Sequence, residues 1–206
     1  MDHLRTQIVG LINQLASEYR RAPASILTES DFQCLLVSRL MGLDDLRGER
    51  PTRDANILGT MVHSEVSWYD EEGRLSLKPD ITILEPSNLS IFHGLDKSLL
   101  PPKGYHFNGR AIIFELKLVR ERSGVTAKSI PPIRRDLEKI TRLLRKVAEE
   151  GTRLDLYAYF VLFSKVDRLP QEWDDLIAEY RRNDRLTIIY RSAGVTWPRN
   201  ATTGSN

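Results

Sequence analysis

Three residues of this 206-residue chain have the types and spacing for hydrolytic chemistry: Asp80, Glu115 and Lys117. Asp80 follows Pro79 and heads the apolar run Ile81-Thr82-Ile83-Leu84. Glu115 and Lys117 interrupt another apolar run, Ala111-Ile112-Ile113-Phe114-Glu115-Leu116-Lys117-Leu118-Val119. That run reads as an interior β-strand, where side chains alternate between faces. Glu115 and Lys117 then share one face, and Phe114, Leu116 and Leu118 the other. Burying an acid and an ammonium in such a strand is costly unless they pair or hold a metal. A structural ion pair is the simpler reading. The Pro-Asp element upstream, the only Pro-Asp in the chain, favours the chemical one.

If Asp80 and Glu115 meet on neighbouring strands, their carboxylates repel and raise each other's pKa unless a cation intervenes. Hard oxygen donors select Mg²⁺ or Mn²⁺ over zinc. The backbone carbonyl of Leu116 is a natural third ligand. Lys117 can offset developing negative charge beside such an ion. Together these roles describe hydrolysis of a phosphodiester bond.

The elements that would position these residues follow from the hydrophobic pattern. Leu4, Ile8, Leu11, Ile12, Leu15 and Tyr19 recur at helical spacing over residues 4–21, and Pro23 ends that helix. Thr28 is an N-cap for a second helix, with Asp31 where a capping box places its acid and Gly42 at the end. Residues 44–59 read as a loop. Two strands follow, Met61–Tyr69 and Arg74–Leu84, joined by an Asp70-Glu71-Glu72-Gly73 turn. Residues 85–109 form an ordered insertion, with a short helical turn near 96–100. Beyond the Glu115 strand, Pro131-Pro132 opens a long helix with apolar positions Ile133, Leu137, Ile140, Leu144 and Val147, which Gly151 ends. A strand over 154–163, a helix over 170–182 and a strand over 186–190 complete one α/β domain spanning residues 1–198. The helix crossover makes the strands on either side of it parallel. The polar tail 199–206 is expected to be disordered.

Together, Pro79-Asp80, Glu115-Leu116-Lys117 and the helix that begins near Pro131 resemble the PD-(D/E)xK nuclease superfamily, the restriction-endonuclease-like fold. The resemblance implies a central mixed β-sheet flanked by helices, an α-β-β-β-α-β core over roughly residues 28–164. It implies a metal-dependent endonuclease with Asp80 and Glu115 as ligands of Mg²⁺ (or Mn²⁺) and Lys117 as the catalytic lysine. Members often add an acid on the first core helix; Glu29 is the choice here, with Asp31 a near equal. Their competing reading is a helix-start charge favoured by the macrodipole. Glu65 is a further candidate on the preceding strand, unless it is only an exposed strand acid.

Charge and composition set the partners. Net charge is only +2, so nucleic-acid binding must rest on local clusters. Between Glu115 and Lys146 stand ten lysines and arginines against four acids. Arg120, Arg122 and Lys128 lie on the Gly-containing loop after the strand, and Arg134 and Arg135 on the long helix. A solvated helix face is the alternative for the helical bases. DNA is the expected partner, with specificity supplied by residues 85–109, by homodimerisation or by a partner protein. The alternative function is a non-catalytic nucleic-acid-binding or assembly module that keeps the fold. A single cysteine, Cys34, excludes an internal disulfide framework. No apolar run approaches a bilayer span and no signal peptide is legible, so the cytoplasm is the expected compartment.

Overall fold

The computed structural model describes residues 2–54, 56–69, 75–91, 106–149 and 155–196. Five strands form the central sheet: β1 (Val62–Ser64), β2 (Ile81–Leu84), β3 (Arg110–Val119), β4 (Asp155–Ser164) and β5 (Leu186–Ser192). They lie in chain order across it. β1, β2 and β3 are antiparallel neighbours, and β3, β4 and β5 run parallel. The sheet is therefore mixed, with the change of direction at β3.

Helices cover both faces. α1 (Asp2–Arg21) and α2 (Glu29–Met41) pack on one face, over Ile112, Phe114, Leu116 and Leu118 of β3. α3 (Ile130–Glu149) and α4 (Glu172–Tyr180) cover the other, over Ala111, Ile113 and Val119. The alternation expected for β3 holds, and Glu115 and Lys117 fall on the α3 side. The apolar positions expected for α3 are all buried. Its Pro131 and Pro132 sit in the first turn, where a missing N–H costs no helical hydrogen bond. α2 begins with the expected capping box. The Thr28 hydroxyl accepts from the Asp31 amide at 3.0 Å, and the Asp31 carboxylate accepts from the Thr28 amide at 2.9 Å.

Three expectations are corrected. Residues 44–59 are not wholly a loop, because Arg50–Pro51 pairs antiparallel with Leu58–Gly59. Met61–Tyr69 is not one strand: Glu65 has φ +55°, which turns the chain out of the sheet after Ser64. Arg74–Leu84 is broken at Lys78-Pro79-Asp80. Its first part, Leu75–Leu77, pairs with Trp68–Tyr69 in a separate ribbon that packs against α3. The insertion is closed at its neck by a third ribbon, Leu89–Ser90 with His106–Phe107. The Asp70–Gly73 turn, the helical turn near 96–100, Gly151 and the tail lie outside the described residues.

Candidate active site

Ile81 of β2 stands opposite Phe114 of β3. Continued by one residue, this antiparallel register sets Asp80 opposite Glu115, so the two side chains share a face. The Asp80 carboxylate accepts a 2.6 Å hydrogen bond from the Leu116 amide. The side chain thus takes a place on the β3 edge that β2 main chain would otherwise fill. Two bonds to the Asp80 carbonyl fix its backbone, from the Glu65 amide at 3.1 Å and from the Gln33 side chain at 2.6 Å.

One residue further, the register brings Pro79 opposite Leu116. In an antiparallel ladder the N–H and C=O of one residue point to the same side. The Leu116 amide points to Asp80, so its carbonyl points the same way. Pro79 has no N–H to offer that carbonyl. The proline both ends β2 and leaves the Leu116 carbonyl without a ladder donor at the edge of the two acids.

The electrostatics match this crowding. Burial raises the Asp80 carboxyl above its ordinary range, and the Glu29 charge adds to it, while the Leu116 hydrogen bond pulls it down. Glu115 is pushed up to about 8, first by burial and then by the charges of Asp80 and Asp136. Burial works to lower Lys117, but the charges of Asp136 and Glu29 outweigh it, so the ammonium is held charged above the usual lysine range. Lys117 lies 3.2 Å from Asp136 and 4.0 Å from Glu29. Asp136 also touches Lys139 at 3.2 Å and is the more enclosed partner, 14% exposed against 29% for Lys117.

The structure separates the remaining sequence candidates. Glu29 reaches the site and accepts from the Leu118 amide at 3.2 Å. Asp31 is consumed by the α2 cap, accepting from the Leu27 and Thr28 amides, which lowers its pKa. The Glu65 carboxylate is ion-paired with Lys78 and acts on the Asp80 carboxyl through charge, while the Glu65 amide holds the Asp80 carbonyl. Arg134 is tied to Glu179 of α4. It lies two helical positions from Asp136, on the opposite flank of α3. Arg135 and Lys128 are exposed, as are Arg120 and Arg122. Arg120 reaches the Leu27 carbonyl at 3.4 Å.

Two residues of the site, Asp136 and Gln33, were not singled out from sequence. Asp136 sits among bases, which masks it. A signal was present: it is three residues after Ile133 and four before Ile140, both core positions, so it borders the sheet. Gln33 had no such signal.

Among the described residues no three His, Cys, Asp or Glu side chains form a group that could hold a metal ion. The oxygens gathered at this edge are the Asp80 and Glu115 carboxylates and the Leu116 carbonyl. Mg²⁺ suits such a set, because it keeps several waters and takes only one or two carboxylates. Burial first, and then neighbouring negative charge, raises both carboxyls, and a bound cation would offset both effects, so the residues fit the ion. No described helix is long and apolar enough to cross a membrane. Comparison with protein-family models, with curated proteins and with solved structures gives no match for this chain.

Proposed function

We propose that this chain is a divalent-metal-dependent nuclease of the PD-(D/E)xK kind, hydrolysing phosphodiester bonds in DNA. The observation that carries the reading is Asp80 facing Glu115 across the end of β2, with Lys117 on the same face of β3. Asp80, Glu115 and the Leu116 carbonyl would hold Mg²⁺ or Mn²⁺. When bound, such an ion polarises a phosphoryl oxygen and supplies hydroxide near neutral pH.

The chain's own residues do the rest. The ammonium of Lys117, kept charged by Asp136 and Glu29, offsets negative charge that builds on the phosphoryl oxygens. Asp136 fixes where that ammonium stands. Gln33 and the Glu65 amide keep Asp80 in register, so the carboxylate is placed before substrate arrives. Arg120, Arg122, Lys128 and Arg135 supply exposed positive charge for the phosphate backbone.

The test is cleavage of supercoiled plasmid and single-stranded DNA in Mg²⁺, Mn²⁺ or EDTA, wild type beside Lys117→Ala. The expected result is metal-dependent cutting that falls on the order of 10²–10³-fold in the variant, the scale of losing one charge-stabilising donor. Asp136 keeps Lys139 as a partner, so the variant's melting curve stays close to wild type. Undiminished metal-dependent cutting by Lys117→Ala would remove the lysine from the site. No cutting by wild type on any substrate would transfer the reading to a binding module that keeps the fold.

A further inference from the structure

A groove of about 800 Å³ opens beside Lys117, between the end of β3, the 121–129 segment and the start of α3. It is continuous with the candidate site, since Glu29 and Lys117 line its inner end. Its floor is aliphatic, made by Val119, Pro132 and Ile133, with Ala127 at the exposed mouth. The Ser123 and Thr126 hydroxyls lie along its rim. Charge inside it is balanced, with Lys117 and Lys128 against Glu29 and Glu121.

The outer wall is built, not loose. The Val125 amide donates to the Arg168 carbonyl at 3.1 Å, and the Gly124 amide to the Glu121 carbonyl at 3.0 Å. Gly124 has φ +68°, and a Cβ there would stand 2.9 Å from the Arg168 side chain and 3.0 Å from its carbonyl. The segment therefore docks tightly on the chain after β4, and the groove keeps its width.

A phosphate alone has no use for an aliphatic floor, and a balanced charge does not select an anion. A base with its sugar does match: a flat, neutral, mostly apolar group with polar edges. Lysines stand at the inner end and at the rim, where the flanking phosphates of one strand would run. The volume is that of a small-molecule site, and its aliphatic floor suits the open face of an unpaired base, a face that a duplex hides in its stack. Bases held in a duplex must be taken out of the stack to enter such a pocket, at an energetic cost.

Resting on the nuclease reading above, we infer that this groove is a subsite for one unpaired nucleotide of DNA next to the phosphate being cut. The protein therefore acts on single-stranded or frayed DNA in preference to intact duplex. Aliphatic contact without an aromatic platform also implies weak discrimination among the bases.

The test measures dissociation constants by fluorescence anisotropy in EDTA, for a short single strand and for the same sequence as a blunt duplex. Wild type is compared with Ala127→Phe and Ser123→Trp, each filling the groove from an exposed position. Wild type is expected to bind the single strand about tenfold more tightly than the duplex, a difference of about 1.4 kcal/mol. Both fillings erase that preference by weakening single-strand binding, with duplex binding and melting temperature unchanged. Equal affinity of wild type for the two forms overturns the subsite, and so does a preference that survives both fillings. Cleavage keeps the two readings apart. Metal-dependent cutting of strand and duplex at one rate overturns the subsite and leaves the nuclease standing. A filled-groove loss of single-strand binding in a protein that cuts nothing upholds the subsite and overturns the nuclease.

Discussion

The two halves of β3 live in different surroundings. From Ala111 to Phe114 the strand has a neighbour on each side, β2 and β4. From Glu115 to Val119, among the described residues, β4 is the one strand paired with it, because β2 begins opposite Phe114. In the first half the α3-facing positions are Ala111 and Ile113, both buried in the core. In the second half the same face carries Glu115 and Lys117. The opposite face shows no such change: Ile112, Phe114, Leu116 and Leu118 pack continuously under α1 and α2. Charge is therefore tolerated only where a neighbouring strand is withheld and only on one side. Pro79 withholds it, by ending the β2 ladder one residue before the site acid.

That contrast can be broken from either side. The largest effect is expected on the dry side. Phe114 is fully buried and stacks on Tyr159 with ring centroids 5.1 Å apart. Phe114→Ala should cost about 3–5 kcal/mol of stability, read by denaturant unfolding. A loss under 1 kcal/mol would mean that this face is less tightly packed than the structure shows.

A second effect belongs to the open side and depends on pH. The folded Glu115 carboxyl titrates at about 8 and that of the unfolded chain near the ordinary value of about 4.3. The folded protein thus holds a proton that the unfolded chain has released, and stability is lost as pH rises from the lower value to the higher. Without divalent metal the melting temperature should fall between about pH 5 and about pH 8. Glu115→Gln should flatten that fall. Mg²⁺ should raise the melting temperature more at the upper pH than at the lower, and this gain should shrink in Glu115→Gln. A metal effect unchanged in Glu115→Gln would take Glu115 out of the ligand set.

The smallest effect sharpens the comparison. Asp136→Asn removes the charge that holds Lys117 but keeps a polar side chain of similar shape. If Lys117 acts as proposed, the substitution should lower kcat roughly tenfold with KM nearly unchanged, as expected for a group that orients another side chain. A change in KM alone would make Asp136 a substrate contact.

The order of the elements was readable from sequence because each cause was local. The apolar alternation of β3, the 4-3-4-3 spacing on α3 and the Thr28–Asp31 box all act within a few residues. The opposition of Asp80 and Glu115 was a supposition about neighbouring strands, and the register of β2 on β3 is what sets the two residues opposite. What stayed hidden depends on partners far along the chain. The left-handed backbone at Glu65 and the break at Pro79 split apolar stretches that read as continuous. Glu29 and Asp31 were interchangeable on paper; they differ because one meets the Leu118 amide and the other its own cap. Gln33 acts on a residue 47 positions away, and no periodicity announces that.

The ribbon that closes the neck of the 85–109 insertion has a consequence for engineering. Leu89–Ser90 and His106–Phe107 hold the ends of the intervening chain together, independently of what lies between them. Closing a loop twice as long costs only about 0.6 kcal/mol more. A reporter, an affinity tag or a targeting module spliced between Ile91 and His106 would therefore begin and end where the ribbon already holds the chain. The splice would leave the spacing of Asp80 and Glu115 untouched.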